Sequence, residues 1–158
     1  MATTVPVRVD FEQYAPDAYK ALAHLDHAVA KELERVDFDP KLRELVRVRA
    51  SQLNGCAYCI DMHTKDARKA GETEQRLYAV TAWRDTPFFT ERERAALAFT
   101  EAVTLMSVDH VPDAAYEAVA EHYGEEEIAA LVSLIVAINA WNALGVSLHA
   151  WEPGSYQT

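Results

Sequence analysis

Glycine and proline are scarce in this chain, with 5 and 6 of 158 residues. Turn-dense all-β architectures draw on both, so their scarcity argues against one. Cysteine is scarcer still. The two that exist, Cys56 and Cys59, stand three positions apart, unlike the scattered pairs of a secreted disulfide framework. Positive charge is also short: 15 basic residues face 25 acidic ones, for a net charge of −10. No basic run exceeds two residues, which argues against a nucleic-acid surface. The opening MATTVPVRVDFEQYAPD carries no apolar run and no cleavage pattern, so no secretion signal is expected. These absences together predict a cytoplasmic protein. In that reducing compartment a Cys-x-x-Cys pair serves catalysis or metal binding more often than structure.

What remains is a globular balance of 50% hydrophobic and 25% charged residues. A chain of this length is expected to form one domain, residues 1–158, able to bury roughly 70% of its unfolded surface without staples. After an extended lead-in over residues 1–15, Leu22, Leu25, Val29, Leu33 and Val36 recur at helical spacing. His24 and His27 on that helix read as surface or boundary residues. Asp39-Pro40 supplies an N-cap and a favoured first helical residue for a helix running to about Leu53, which Asn54-Gly55 ends. The cysteine segment follows as a helix closing at Gly71. Thr73 caps the next helix, with Leu77, Val80, Thr81 and Trp83 as its inner stripe. Thr90 and Glu93 form a capping box for a helix through about Met106, whose face includes Leu97, Phe99, Val103 and Met106. Val111-Pro112 opens a short helix ending at Gly124.

The last helix, about 125–149, is apolar nearly all round. It is long enough to span a bilayer, but Ser133, Asn139, Asn142 and Ser147 interrupt it and no basic flank anchors it. A core helix buried on every side is expected instead, by its own chain or by subunit contacts, with hydrogen-bond partners for Asn139 and Asn142. No strand pattern is evident. The expected fold is an all-α single-domain bundle of about six to seven helices.

The chemistry concentrates in ELVRVRASQLNGCAYCIDMHTKDARKAG, residues 44–71, within a core motif of about 40–71. On a helical wheel at about 100° per residue, Cys56, Cys59 and His63 share one face, while Tyr58 and Asp61 point elsewhere. A helix N-terminus favours an anion, hence a thiolate, which is the reactive form. A histidine one turn away can take the thiol proton. A thiolate can attack a peroxide and become a sulfenic acid, a second thiol can condense with it, and a dithiol can restore the pair. Proximity to His63 favours Cys59 as the attacking thiol and Cys56 as the resolving one. The helix-terminus argument favours Cys56. Zinc held by Cys56, Cys59, His63 and Glu44 is the competing use of the cluster, but structural zinc sites usually gather a second ligand pair from elsewhere, and the chain has none. His110, His122 and His149 lack paired ligands at helical spacing. Trp83 and Trp141 read as core or interface.

These residues carry a resemblance. RELVRVRASQLNGCAYCIDMHTKDARKAGE, then QRLYAVTAWRDTPFFTERERAALAFTEAVT, then IVAINAWNALGVS resemble the alkyl hydroperoxidase D-like branch of the carboxymuconolactone decarboxylase superfamily. The resemblance implies an all-α fold and homo-trimers or homo-hexamers. It also implies an antioxidant peroxidase centre of Cys-x-x-Cys, a histidine four residues on and a glutamate twelve residues before. Those positions are Cys56, Cys59, His63 and Glu44. It implies a Glu and His proton relay serving the second cysteine, a hydroperoxide substrate, and a dithiol or lipoylated-protein reductant. No cofactor and no metal are expected. Tyr58 stands where the founding alkyl hydroperoxidases carry a histidine. The decarboxylase branch lacks the cysteine pair, so its ring chemistry is not expected here. A non-enzymatic oligomeric redox sensor of the same fold is the alternative function.

Overall fold

Short-range capping chemistry sets several helix boundaries. The computed structural model describes residues 4–158, and nine α-helices and one 3-10 turn run through them with no strand among the described residues. They are α1 (Phe11–Tyr14), α2 (Pro16–Arg35), α3 (Pro40–Asn54), α4 (Ala57–Lys69), α5 (Glu74–Ala79), a 3-10 turn (Val80–Asp85), α6 (Glu91–Thr104), α7 (Met106–Asp109), α8 (Asp113–Ala120) and α9 (Glu125–Leu148). The all-helical expectation holds. The count exceeds six or seven because α1 and α7 are single turns. Asp10 caps α1 by accepting from Gln13 N at 3.0 Å, so the expected extended lead-in holds only outside residues 11–14; residues 1–3 lie outside the described residues.

Asp39 accepts from Lys41 N at 2.7 Å and opens α3. Gly55, in the left-handed region at φ 71°, closes it. Thr73 caps α5 and the Thr90–Glu93 box opens α6. Gly124 N donates to Glu127 Oε2 at 2.9 Å, so the last residue of the run Glu125-Glu126-Glu127 fastens the start of α9.

α9 is the axis of the core, packed against α2, α3 and α6. Leu131, Leu134 and Ile135 are fully buried, joined by Val29 and Leu33 of α2, Leu42 and Val46 of α3 and Phe99 of α6. Each such side chain contributes about 1.5–3 kcal/mol of burial. Although α9 is long and apolar enough to cross a membrane by length and composition, it serves here as the central core helix. It is not covered on every side, however: Ala129, Val136, Ala143 and Val146 form an exposed stripe along it. Leu25, Thr81 and Met106 are likewise exposed where an inner face was expected. α6 stops at Thr104, with a non-helical Leu105 after it, so Met106 starts a new helical turn and is off the α6 face.

Asn139 and Asn142 find the partners that burial requires. Asn54 Nδ2 donates to Asn139 Oδ1 at 2.8 Å and to Asn142 Oδ1 at 3.0 Å. Asn142 Nδ2 donates to Ser51 Oγ at 3.0 Å, and Asn139 Nδ2 to Thr104 Oγ1 at 3.1 Å. This polar clamp pins α9 to the end of α3, directly before the cysteines.

Candidate active site

Gly55 turns the chain out of α3, and the next residue begins the site. Cys56 is not inside a helix, contrary to the wheel: it is the N-cap of α4, in extended conformation at φ −84° and ψ 95°. Cys59 lies in the first turn of α4. The two sulfurs are joined in a disulfide, with Cα atoms 5.3 Å apart. Both cysteines are buried beside Ala50 and Ile138.

His63 is one turn beyond Cys59, and its Nδ1 lies 2.9 Å from Glu44 Oε2. Glu44 comes from the first two turns of α3, which packs directly against α4. The solvent-facing carboxylate that spacing alone would allow is not what forms: Glu44 is only 3% exposed. Its Oε1 accepts from Arg47 Nη1 at 2.8 Å and Arg43 Nε at 3.3 Å. Burial by itself raises the Glu44 pKa, but the hydrogen bond to His63 and the charges of Arg47, His63 and Arg43 outweigh it and hold the carboxyl below its ordinary value. An ionised Glu44 accepts a hydrogen bond from His63 Nδ1–H, which leaves Nε2 as the free ring nitrogen.

The four residues singled out from the sequence therefore meet in space. Only Cys59 and His63 of the four line a cleft of about 230 Å³; Cys56 lies behind, against α9. The cleft also exposes Arg47 and Asp26, which approach to 3.7 Å. Ligand-capable atoms of Glu44, His63 and Asp66 lie within 4.8 Å of one another. Glu44 is already engaged by Arg47 and His63, and Asp66 Oδ1 accepts from Tyr156 at 2.9 Å, so both carboxylates already have hydrogen-bond partners.

Three site features have no counterpart in the sequence reading. Gly145 of α9 faces the disulfide: a Cβ there would stand 2.7 Å from Cys56 Sγ. The segment after α9 folds back across α4. Gly154 N donates to Asp61 Oδ2 at 3.2 Å, Lys65 Nζ to the Tyr156 carbonyl at 2.9 Å, and the Tyr156 hydroxyl to Asp66. Burial and the Asp66 hydrogen bond push the Tyr156 pKa up to about 12. This segment carries Trp151 to the cleft, where it meets Tyr58 at 5.4 Å and Trp141 at 5.8 Å between ring centres. Trp83 is a core residue, hydrogen-bonded to Glu101 at 2.8 Å, but Trp141 walls the cleft instead of joining the core. A glycine inside an apolar helix was the one available signal for Gly145, since it costs about 1 kcal/mol relative to alanine without a packing reason.

Residues 16–102 match the Carboxymuconolactone decarboxylase family. The uncharacterised Bacillus subtilis protein YdfG is 43% identical over 141 residues, covering 89% of this chain and 93% of that protein. An Agrobacterium tumefaciens crystal structure, of a protein of unknown function described as a candidate antioxidant defence protein AhpD, aligns with a TM-score of 0.86 at 35% identity. It covers 94% of this chain and 99% of that one. An uncharacterised peroxidase-related protein from Ralstonia eutropha, described as an alkylhydroperoxidase AhpD core, shares the fold with a TM-score of 0.77 at 22% identity, over 90% of this chain and 74% of that one. On the matched span, the YdfG identity and the shared architecture, the chain belongs to the carboxymuconolactone decarboxylase family and is AhpD-like within it.

Proposed function

We propose that this protein is a thiol-dependent peroxidase that reduces organic hydroperoxides through Cys59 and Cys56. The observation that carries the reading is a disulfide whose Cys59 faces a cleft beside a histidine held by a buried carboxylate. In the reduced enzyme His63 Nε2 takes the Cys59 thiol proton, and Glu44 steadies the imidazolium. The thiolate attacks the terminal peroxide oxygen and the O–O bond breaks. The departing alkoxide takes the proton from His63 and leaves as the alcohol. Cys59 is now a sulfenic acid; Cys56 attacks its sulfur, water departs and the disulfide forms. The balance is one hydroperoxide and two thiols in, one alcohol, one water and one disulfide out.

The two arguments about the cysteines then address different steps. The cleft reaches Cys59, so the peroxide meets Cys59, and so does the thiolate of an incoming dithiol. Cys56, at the N-cap of α4, leaves as a thiolate favoured by the helix terminus. The reductant in this reading is a dithiol, such as a lipoylated protein. The same reading takes the chain as one domain working as a cytoplasmic homo-oligomer, with the exposed Val136 stripe of α9 against a second copy.

The test treats reduced, metal-stripped protein with one equivalent of hydroperoxide and follows intact mass. Loss of two hydrogens is expected, together with no disulfide and no turnover in Cys59→Ser. Unchanged mass with both thiols free overturns the reading. Turnover with a dithiol separates the enzyme from a sensor, which oxidises once.

A further inference from the structure

Four aromatic rings from four parts of the chain meet around the cleft: Tyr19 of α2, Tyr58 of α4, Trp141 of α9 and Trp151 of the terminal segment. They form a continuous series, Tyr19 to Trp141 at 5.8 Å, Trp141 to Trp151 at 5.8 Å and Trp151 to Tyr58 at 5.4 Å. None is buried in the core; all four keep part of their surface in solvent. Met62 and Ile138 add apolar lining. Among the described residues, the one permanent cation lining the cleft, Arg47, is already committed to Glu44 and Asp26, so none of them offers a free guanidinium or ammonium to an acidic ligand. A cavity of roughly 150 Å³ holds benzene; the 230 Å³ here admits a ring with a short branched substituent.

We infer that the cleft takes a small, neutral, aromatic hydroperoxide, and that Trp151 is the residue that sets this preference. The inference rests on the peroxidase reading for its chemistry, which is the balanced step given above. Aromatic recognition supplies the rest. Edge-to-face and offset contacts with four ring walls favour a flat π-body over an aliphatic one of similar size. Trp151 is the wall that the terminal segment brings in from outside the bundle, secured by the bonds of Gly154, Tyr156 and Lys65 across α4.

The experiment compares cumene hydroperoxide with tert-butyl hydroperoxide as substrates, dithiothreitol being the reductant. In parallel it measures binding of the matching alcohols, 2-phenyl-2-propanol and tert-butanol, to the oxidised protein by ligand-observed NMR. For the wild type, kcat/KM is expected to favour the aromatic peroxide by about tenfold or more. Trp151→Ala lowers that ratio about tenfold, mainly through KM, and Trp151→Phe recovers most of it. Tyr19→Leu, on a different element, moves the ratio the same way and guards against a folding artefact at Trp151. Turnover of both peroxides without aromatic preference, with the two alcohols binding alike, overturns the inference and leaves the peroxidase reading standing. An aromatic alcohol bound selectively and lost in Trp151→Ala, with neither peroxide consumed, upholds the aromatic cleft and refutes the peroxidase reading. A preference that survives Trp151→Ala intact overturns the assignment of Trp151.

Discussion

Gly145→Ala is a change of one methyl group that is expected to act on the redox couple. The added Cβ would sit 2.7 Å from Cys56 Sγ, while its distances to Cys59 Sγ and Trp151, 3.7 and 3.8 Å, are ordinary contacts. The overlap with Cys56 is about 1 Å inside normal packing distance, and such overpacking costs about 1–3 kcal/mol. In the disulfide the sulfur is tethered at both ends and cannot swing away. Reduced, Cys56 is free to turn about χ1 and escape the methyl. The penalty therefore falls on the oxidised form, while the gain of about 1 kcal/mol from replacing a helical glycine applies to both. With 30 mV equal to about 1.4 kcal/mol for a two-electron couple, the potential is expected to become about 20–65 mV more oxidising. Equilibration in dithiothreitol redox buffers, followed by thiol alkylation and intact mass, reads it directly. A potential unchanged within about 10 mV, or one shifted to more reducing values, would refute the reasoning.

The catalytic assignments make further predictions. His63→Gln removes the proposed base and should slow peroxide reduction by about 10²–10⁴-fold, measured as hydroperoxide loss at saturating dithiol; a change under threefold sinks the role. Glu44→Gln leaves Arg47 facing a neutral amide in a nearly dry setting, and chemical denaturation should show a loss of about 3 kcal/mol. Glu44 titrates below its ordinary value of 4.5 in the folded chain, so its ionised form stabilises the fold above about pH 4.5 and that contribution fades as pH falls through the folded value. The stability gap between wild type and Glu44→Gln should therefore narrow below pH 4.5, and a gap that widens there contradicts the ion-pair account. Leu134→Ala, at the centre of α9, should lose about 2–5 kcal/mol, with the cysteines still forming their disulfide. Val136→Glu should lower the mass seen by light scattering if the stripe on α9 seats a second copy; an unchanged assembly size removes α9 from the interface.

Helix placement was readable where it depends on residues a few positions apart. Asp39, Gly55, Thr73 and the Thr90–Glu93 pair act within one turn, and each marks an observed boundary. That Cys59 and His63 face one cleft was readable for the same reason. Cys56 escaped because the wheel assumed that the helix began one residue earlier than the turn at Gly55 permits. Glu44 could be placed only by resemblance, since that turn erases any phase relation between α3 and α4. Trp151, Tyr19 and Gly145 were beyond reach: they arrive from distant parts of the chain, and no periodicity records which residues meet across a bundle. Leu25 shows the converse, with helical spacing intact on α2 but the side chain left exposed.

The order in which the site is made during synthesis is itself a constraint. The cysteines leave the ribosome early, whereas Gly145 and Trp151, which confine them, are made about 90 residues later. At ~5–20 residues per second that is a delay of roughly 5–20 s. Throughout it Cys56 and Cys59 have neither α9 behind them nor a roof in front. A nascent chain meeting peroxide or another thiol in that interval is open to oxidations and mixed disulfides at Cys56, which the finished fold buries against α9, so recovery of correctly paired protein should depend on how reducing the compartment is while the chain is being made.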